Sequence, residues 1–213
     1  MKSKATLLGH PIHPMLIVFP LGLLPVASIF DIIYLSTHNG HWADVSYWLI
    51  AAGIIGALIA AVFGFVDWLG IPDGTRAKSI GLIHGVANFI VALLFIVSWF
   101  IRRPDPAAPS LLAIVLGWIG IVIAIFAGWL GGELVYRLNM GVDEGANLDA
   151  PNSLSGRPAT ERLSGSMRVS HAANLVDTNA ALTCNSSLAR TFASFKKRVV
   201  FMCLLFLFVA PEP

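Results

Sequence analysis

Charged residues are scarce in this chain of 213 residues, where Asp, Glu, Lys and Arg together make up 12%. An average soluble domain carries about 25%. Half that amount is too little to cover the surface of a soluble protein of this length, and the mean hydropathy of +0.77 agrees with this. The scarcity of charge therefore indicates that lipid covers part of the protein.

Cysteines and the familiar enzyme motifs are also rare or missing. The two cysteines, Cys184 and Cys203, form no CxxC or Cys/His spacing, which excludes a disulfide framework and a zinc finger. No GxSxG, HExxH, P-loop or GxGxxG string occurs in a suitable strand–helix context. No basic patch with interleaved aromatic residues occurs either. The sequence thus supports neither classical enzyme chemistry by this chain alone nor binding of nucleic acid.

What the sequence has in abundance is long apolar runs. Each of four runs reaches the roughly 20 residues that cross the hydrocarbon core as a helix, and a helix satisfies every backbone group in lipid. Short polar links with Gly or Pro connect the runs, so consecutive spans are antiparallel. The pattern predicts an all-α, integral membrane four-helix bundle of up-down-up-down topology within residues 15–137, with helices at about 15–36, 45–71, 79–101 and 110–137.

The distribution of lysine and arginine predicts the orientation of the bundle. We call the membrane face that holds residues 1–14 side one, and the opposite face side two. Near the spans, side two holds only Arg102 and Arg103, whereas side one holds Lys2, Lys4, Arg76, Lys78 and Arg137. The positive-inside rule places the richer face in the cytoplasm. The sequence therefore predicts a multi-pass membrane protein whose N-terminal segment, residues 1–14, is cytoplasmic.

The tail, residues 138–213, has a different composition. It is rich in Ser, Ala, Asn, Thr and Arg, and it is predicted to be poorly structured. Near its end a basic cluster, Lys196 to Arg198, precedes an apolar stretch at 199–210 that is too short for an ordinary span. Three interpretations stay open: an interfacial segment beside the basic cluster, a short anchor, or part of a frameshift or read-through product.

Polar residues inside the spans are costly in lipid and are therefore candidates for function. Asp31, near the far end of the first span, belongs to side two. The antiparallel order brings the other candidates to side one, namely His10, His13, Asp67, His84, Asn88, Glu133 and Tyr136. Imidazoles, carboxylates and a phenol are thus predicted to converge at one membrane face.

The most specific string is the opening Gly9-His10-Pro11-Ile12-His13-Pro14. Proline favours the start of a helix, so this string predicts a rigid entry that holds two imidazoles about one turn apart. Rigid imidazoles suit ligation of a transition metal or haem. The alternative is that each histidine only bonds backbone groups at the helix end. His84 has the same two interpretations, as a ligand or as a hydrogen bond between helices.

The carboxylates of side one have predicted partners. Asp67 is predicted to orient one of the histidine rings, as carboxylates do behind metal-bound histidines. The alternative for Asp67 is an ion pair with Arg76 or Lys78. Glu133 is a candidate of the same polar cluster, and the alternative is that it only pairs with Arg137, which lies one helical turn away.

Four strings resemble a bacterial family of predicted membrane proteins of unknown function (domain of unknown function 2231 type). They are GHPIHPMLIVFPLGL, the GxxD of Gly64 to Asp67, GLIHGVAN around His84, and GGELVYRLNMGV. The resemblance covers residues 7–145, and GHPxHP is its most specific mark. It implies a four-helix membrane domain and, because relatives sometimes sit beside Rieske or cytochrome domains, a role in electron transfer. The positions that match the family pattern are His10, His13, Asp67, His84 and Glu133.

Three functions stay open at this point. The first is a redox module that binds haem b or a transition metal through His13 and His84, with His10 as a further candidate ligand, and that serves a redox partner protein. The second is a non-catalytic scaffold or subunit whose polar residues only tie helices together. The third is a component of a proton-linked transporter or channel, a homo-oligomer in which Asp31 and Asp67 bracket the path.

Overall fold

The computed structural model describes residues 1–162, and residues 163–213 lie outside the described part. The predictions for the basic cluster and for the apolar stretch at 199–210 fall on residues outside it. The described spans are built from helices α1 (Ile12–Leu16), α2 (Val18–Thr37), α3 (Gly40–Leu69), α4 (Arg76–Arg102) and α5 (Leu111–Gly132), preceded by strands β1 (Thr6–Leu7) and β2 (His10–Pro11).

Within residues 1–162, four helical segments are long and apolar enough to cross a membrane: Ile12–Thr37, Gly40–Leu69, Arg76–Arg102 and Leu111–Arg137. In the most apolar window of each segment only 17% to 28% of the residues are buried, so most of the apolar side chains form the outer surface. An apolar outer surface of this length suits hydrocarbon rather than water. The predicted all-α membrane bundle is therefore confirmed.

The histidine- and proline-rich string at residues 9–14 forms the N-terminal start of the first span. Strands β1 and β2 pair antiparallel, and Leu8 and Gly9 form the turn with φ values of 51° and 83°. This left-handed conformation is the one that tight hairpin turns require. Helix α1 follows β2 directly, and Ile17 joins it to α2. Pro11 is thus the N-cap of α1 and not its first helical residue.

The link between the first two spans is shorter than the predicted one. His38 takes a left-handed conformation and ends α2. The side chain of Asn39 then accepts a hydrogen bond from the backbone N–H of His41 and caps α3. Asparagine at this position satisfies one of the unpaired N–H groups of a helix start. Helix α3 therefore begins at Gly40 and not near residue 45.

The remaining helix ends lie close to their predicted positions. The side chains of Thr75 and Ser110 accept backbone hydrogen bonds from Lys78 and Ala113 at the starts of α4 and α5. Helix α5 continues into one π-helical turn, Glu133–Arg137. The fourth span therefore ends at Arg137, which is also its predicted end.

The bundle is formed by two helical hairpins. Helix α2 packs mainly against α3 and α4 mainly against α5, while the α3–α4 and α2–α5 contacts are sparser. Glycines permit close approach: a Cβ on Gly56 would stand 2.8 Å from Phe19, and one on Gly120 would stand 2.8 Å from Phe95. The buried core cluster that both hairpins share comprises Leu24, Ala27, Ile50, Ile54, Val91 and Phe95.

The first part of the tail has defined structure within the unit that holds the spans, Met1–Glu161. The amino group of Met1 donates to the carbonyl of Asn139 at 2.8 Å, and the N–H of Gly141 donates to the carbonyl of Met1 at 2.9 Å. A 3-10 turn follows at Ser153–Ser155. Hydrogen bonds to Met1 thus fix the backbone at Asn139 and Gly141, at the start of a stretch whose polar composition predicts little structure.

Candidate functional site

His13 is held inside the first hairpin by α3. Its Nδ1 lies 2.8 Å from the carbonyl oxygen of Ala60. Because a carbonyl only accepts hydrogen bonds, Nδ1 carries the proton and Nε2 keeps its lone pair. Gly64, one turn further along α3, makes room for the ring, since a Cβ there would stand 2.8 Å from Nδ1. The ring is therefore fixed in one tautomer and one orientation.

His84 is held in the same way inside the second hairpin. Its Nδ1 lies 2.9 Å from the carbonyl oxygen of Ala127 on α5. A Cβ on Gly131, again one turn further along, would stand 3.2 Å from Cε1 of this ring. His84 is thus also an Nδ1–H tautomer whose Nε2 keeps its lone pair.

The two fixed rings meet across the bundle. The ring centroids of His13 and His84 are 6.4 Å apart, and the ring planes stand at 87° to each other. Both side chains are half-buried. Within residues 1–162, neither Nε2 has a carboxylate or hydroxyl partner. The convergence predicted for these two residues at side one is therefore present in the structure.

Asn88 lies beside this pair, one turn deeper on α4. Its Nδ2 donates to the carbonyl of His84 at 2.9 Å and lies 3.2 Å from Nε2 and 3.4 Å from Nδ1 of the same ring. An atom nearly equidistant from both ring nitrogens lies above the ring, because in the ring plane it would collide with Cε1. The in-plane lone pair of Nε2 is therefore not taken by Asn88.

Asp67 does not join the histidines, and the predicted hydrogen bond to a ring is wrong. Its carboxylate accepts from the hydroxyl of Ser3 at 2.7 Å and from the backbone N–H groups of Lys4 and Ala5 at 2.7 and 3.1 Å. The alternative ion pair with Arg76 or Lys78 is also not formed. The N-terminal segment supplies three donors in a row, and it thereby outcompetes the more distant rings.

Lys78, the second alternative partner of Asp67, is engaged elsewhere. Its Nζ donates to the carbonyls of Trp68 and Ile71 and lies 4.2 Å from the centroid of the Trp68 ring. The ammonium group therefore caps carbonyl groups at the C-terminal end of α3. It also lies over the face of the Trp68 indole, and such a face attracts cations.

Glu133 pairs with a residue of another helix. Its Oε1 accepts from Nη2 of Arg76 at 2.6 Å, so the alternative pair with Arg137 is not formed. The π-helical turn that begins at Glu133 changes the register on which the one-turn spacing relied. Tyr136 is 87% exposed and does not join the histidine pair.

His10 is separated from the other two histidines. It lies in β2 and is exposed, and its Nε2 is 3.4 Å from the hydroxyl of Ser153. The predicted ligand set of His10, His13, His84 and Asp67 is therefore reduced to His13 and His84. Consistent with this, residues 1–162 contain no group of three or more His, Cys, Asp or Glu side chains placed to hold a metal ion.

Asp31 has a partner that the sequence analysis missed. Nη1 and Nη2 of Arg102 each donate to one carboxylate oxygen at 2.7 Å, and both side chains are at most 1% exposed. Ser46 and Ser98 accept further hydrogen bonds from the guanidinium at 3.3 Å. In the sequence, Arg102 counts only as one of two cations near the spans on side two. The signal that could have found the pair is that an aspartate inside an apolar run needs a cation at its own depth.

The two hairpins repeat one local arrangement. In each hairpin a histidine bonds the carbonyl of an alanine, and the glycine one turn after that alanine faces the ring. The arrangement agrees with an internal repeat of a two-helix unit.

Comparison with known proteins adds one relationship. The chain matches the model of the family described as Predicted membrane protein (DUF2231) over residues 9–144. The chain belongs to that family. The match includes all four spans and both histidines of the pair. No curated protein and no solved structure matches the chain.

Proposed function

We propose that this DUF2231 protein holds a transition-metal centre, as a single ion or as haem iron, between His13 and His84. The observation that carries the proposal is the meeting of two imidazoles whose Nδ1–H groups are bound to carbonyls and whose Nε2 atoms have no in-plane hydrogen-bond partner within residues 1–162. Histidine ligands of metals are oriented in this way, by a hydrogen bond from the other ring nitrogen.

The separation of the rings supports the proposal. A transition metal takes imidazole nitrogen at about 2.0–2.1 Å, and the centroid separation of 6.4 Å matches that of two imidazoles that face each other across one ion. Two protein ligands leave further coordination positions for water or for a porphyrin. Bound in this way, the centre would supply one-electron chemistry to a redox partner protein.

The proposal includes a location. The resemblance to a bacterial family favours the bacterial inner membrane, and the positive-inside rule places side one in the cytoplasm, so that the histidine pair would open toward the cytoplasmic face. A partner protein would then approach the face that carries Lys2, Lys4, Arg76 and Lys78.

An absorption spectrum and elemental analysis of the protein purified in detergent test the proposal. We expect either a Soret band or about one equivalent of a transition metal without that band. Either signal should be lost in His13→Ala and in His84→Ala. It should be kept in His41→Ala, because His41 is exposed at the opposite end of the bundle. A protein that is colourless, metal-free and unable to bind added Cu²⁺, Zn²⁺ or haemin would overturn the proposal.

The scaffold function is the second candidate, and one observation favours it. The two Nδ1–H bonds each tie a span to its neighbour within a hairpin, which is sufficient reason for a polar side chain in a membrane bundle. Under this alternative, His13→Ala and His84→Ala lower the melting temperature, and no variant changes the metal or haem content.

The proton-linked transporter is disfavoured by the partners of its two carboxylates. Asp31 is locked by both terminal nitrogens of Arg102, and Asp67 accepts three hydrogen bonds from the N-terminal segment. A proton relay needs carboxylates that can change protonation and partner. Proton flux into proteoliposomes that is lost in Asp31→Asn while the fold is kept would restore this function.

A further inference from the structure

The face of α4 that carries Asn88 is the face that points toward α3. Gly81 lies two turns before Asn88 on this face, and a Cβ there would stand 2.8 Å from Trp68 of α3. Trp99 lies three turns after Asn88 on the same face, and its ring stacks on Tyr47 of α3 at 5.2 Å. Helices α3 and α4 are therefore held together on both sides of Asn88.

Between these two contacts the facing surfaces of the helices carry exposed residues. Asn88 is exposed although it lies on the α3-facing side, and a Cβ on the neighbouring Gly85 would meet nothing within 4 Å. Ala61, which lies about level with Asn88 on α3, is exposed as well. We call this exposed site, formed by Ala61, Gly85 and Asn88, the α3–α4 opening.

The α3–α4 opening lies at the depth of the hydrocarbon core. Asn88 is near the middle of the span Arg76–Arg102, about 18 Å along the helix from its first residue. Between Lys78 and Arg102 helix α4 carries no charged residue, and between Asp44 and Asp67 helix α3 carries none. A ligand of this opening is therefore neutral and reaches it from the bilayer.

Asn88 has unused hydrogen-bonding capacity in the opening. Its Nδ2 donates to its own helix at the carbonyl of His84, whereas its Oδ1 accepts no hydrogen bond within residues 1–162. An amide oxygen without a donor is costly in hydrocarbon, where water cannot replace the missing partner. The half-buried ring of His84 borders the same place.

We propose that the α3–α4 opening binds the head group of a lipid-dissolved isoprenoid quinone. The quinol form carries hydroxyl groups that can donate to Oδ1 of Asn88, and the quinone form carries carbonyls that can accept from its Nδ2. The ring is uncharged, as the surroundings require, and the isoprenoid tail remains in the bilayer beside Gly85. The inference extends the proposed function by naming its membrane-soluble electron carrier, but binding of the head group does not depend on a bound metal.

Binding of a short-tailed quinone analogue, decylubiquinone, to the full chain in nanodiscs tests the inference. We expect saturable displacement of a photoreactive azidoquinone that labels α3 or α4. Asn88→Leu removes the amide and Gly85→Phe fills the open space at Gly85, and each should weaken displacement at least about 10-fold. Asn88→Gln should restore part of it. Phe89→Leu is the matched control, because Phe89 is 69% exposed on a different side of α4.

The outcomes separate this inference from the proposed function. Asn88→Leu should keep the metal or haem content and the melting temperature of the wild type. A chain that lacks any metal or haem but binds the analogue in an Asn88-dependent way would overturn the proposed function and leave this inference standing. Labelling that is not saturable, or that is equal in wild type, Asn88→Leu and Gly85→Phe, would overturn the inference.

Discussion

Asp31 and Arg102 lie inside the bundle near side two, and their charges are fully removed from solvent and lipid. A buried ion pair of this kind gains little over apolar packing, but losing one partner leaves an uncompensated charge. Two hydrogen bonds to one carboxylate also fix the geometry of both groups. At the scale of single residues, this pair joins the side-two end of α2 to the side-two end of α4.

Asp31→Asn should lower the free energy of unfolding by about 3–5 kcal/mol, because the guanidinium of Arg102 would keep its burial and lose its counter-charge. The double variant Asp31→Leu/Arg102→Met should recover most of the loss. Thermal unfolding in detergent, followed by circular dichroism, measures both effects. Arg103→Met is the matched control, since Arg103 is adjacent and exposed. An Asp31→Asn protein that melts with the wild type contradicts this assignment.

The residues of side one show how far the sequence determined the candidate site. His13 and His84 were predictable, because antiparallel spans place the starts of the first and third at one face. The partner of Asp67 was not, because its donors are two backbone N–H groups and a serine hydroxyl of the N-terminal segment. Such groups carry no distinctive signal in a sequence, whereas a histidine in an apolar run does.

At the scale of helices, small residues decide where polar rings fit. Gly64 follows Gly56 and Ala60 at intervals of four residues on α3, and it is the surface against which His13 lies. Gly128 follows Gly120 and Ala124 in the same way on α5, yet a Cβ there would meet nothing within 4 Å. Glycine thus makes room for the His13 ring at position 64, whereas at position 128 it faces open space.

Gly64→Ala should displace the ring of His13 from the carbonyl of Ala60, because the added Cβ would stand 2.8 Å from Nδ1. Loss of this orienting hydrogen bond should weaken metal or haem affinity about 10-fold or more. Titration of the metal-free protein measures the change. Gly128→Ala should bind as the wild type does. Equal affinities in the two glycine variants would show that the His13 orientation does not matter.

The N-terminal segment is a second element whose position depends on one side chain. Asp67→Ala removes the acceptor of three hydrogen bonds from residues 3–5, and charged acceptors of this kind contribute more than neutral ones. Trypsin should therefore cleave after Lys4 about 10-fold faster or more in this variant. Asp73→Ala is the control, since the Asp73 side chain is 94% exposed. Unchanged cleavage in Asp67→Ala would mean that other contacts hold the segment.

Helix ends were predictable where an apolar run ends abruptly, and less so where a cap lies within a polar string. The start of α5 at Leu111 follows directly from its run, whereas the start of α3 at Gly40 depends on the left-handed His38 and the cap by Asn39. Single polar residues with special backbone conformations therefore account for the difference between predicted and observed bounds.

At the scale of the whole molecule, hydrophobicity alone predicts four spans and their antiparallel order, because lipid requires long helices. The family match over residues 9–144 agrees with that reading. Hydrophobicity alone does not predict the α3–α4 opening. The opening lies between the contacts that Trp68 and Tyr47 of α3 make with α4. The candidate site and the opening both depend on the predicted topology.

The most direct test of this topology is the labelling of single cysteines by a membrane-impermeant maleimide in sealed vesicles of defined orientation. Cys184 and Cys203 are first replaced by serine, and single cysteines are introduced as Leu8→Cys, Thr75→Cys, Asn39→Cys and Pro106→Cys. We predict that positions 8 and 75 are labelled from one side of the membrane and positions 39 and 106 only from the other. Labelling of positions 8 and 75 from opposite sides would contradict the convergence of His13 and His84 on which the account depends.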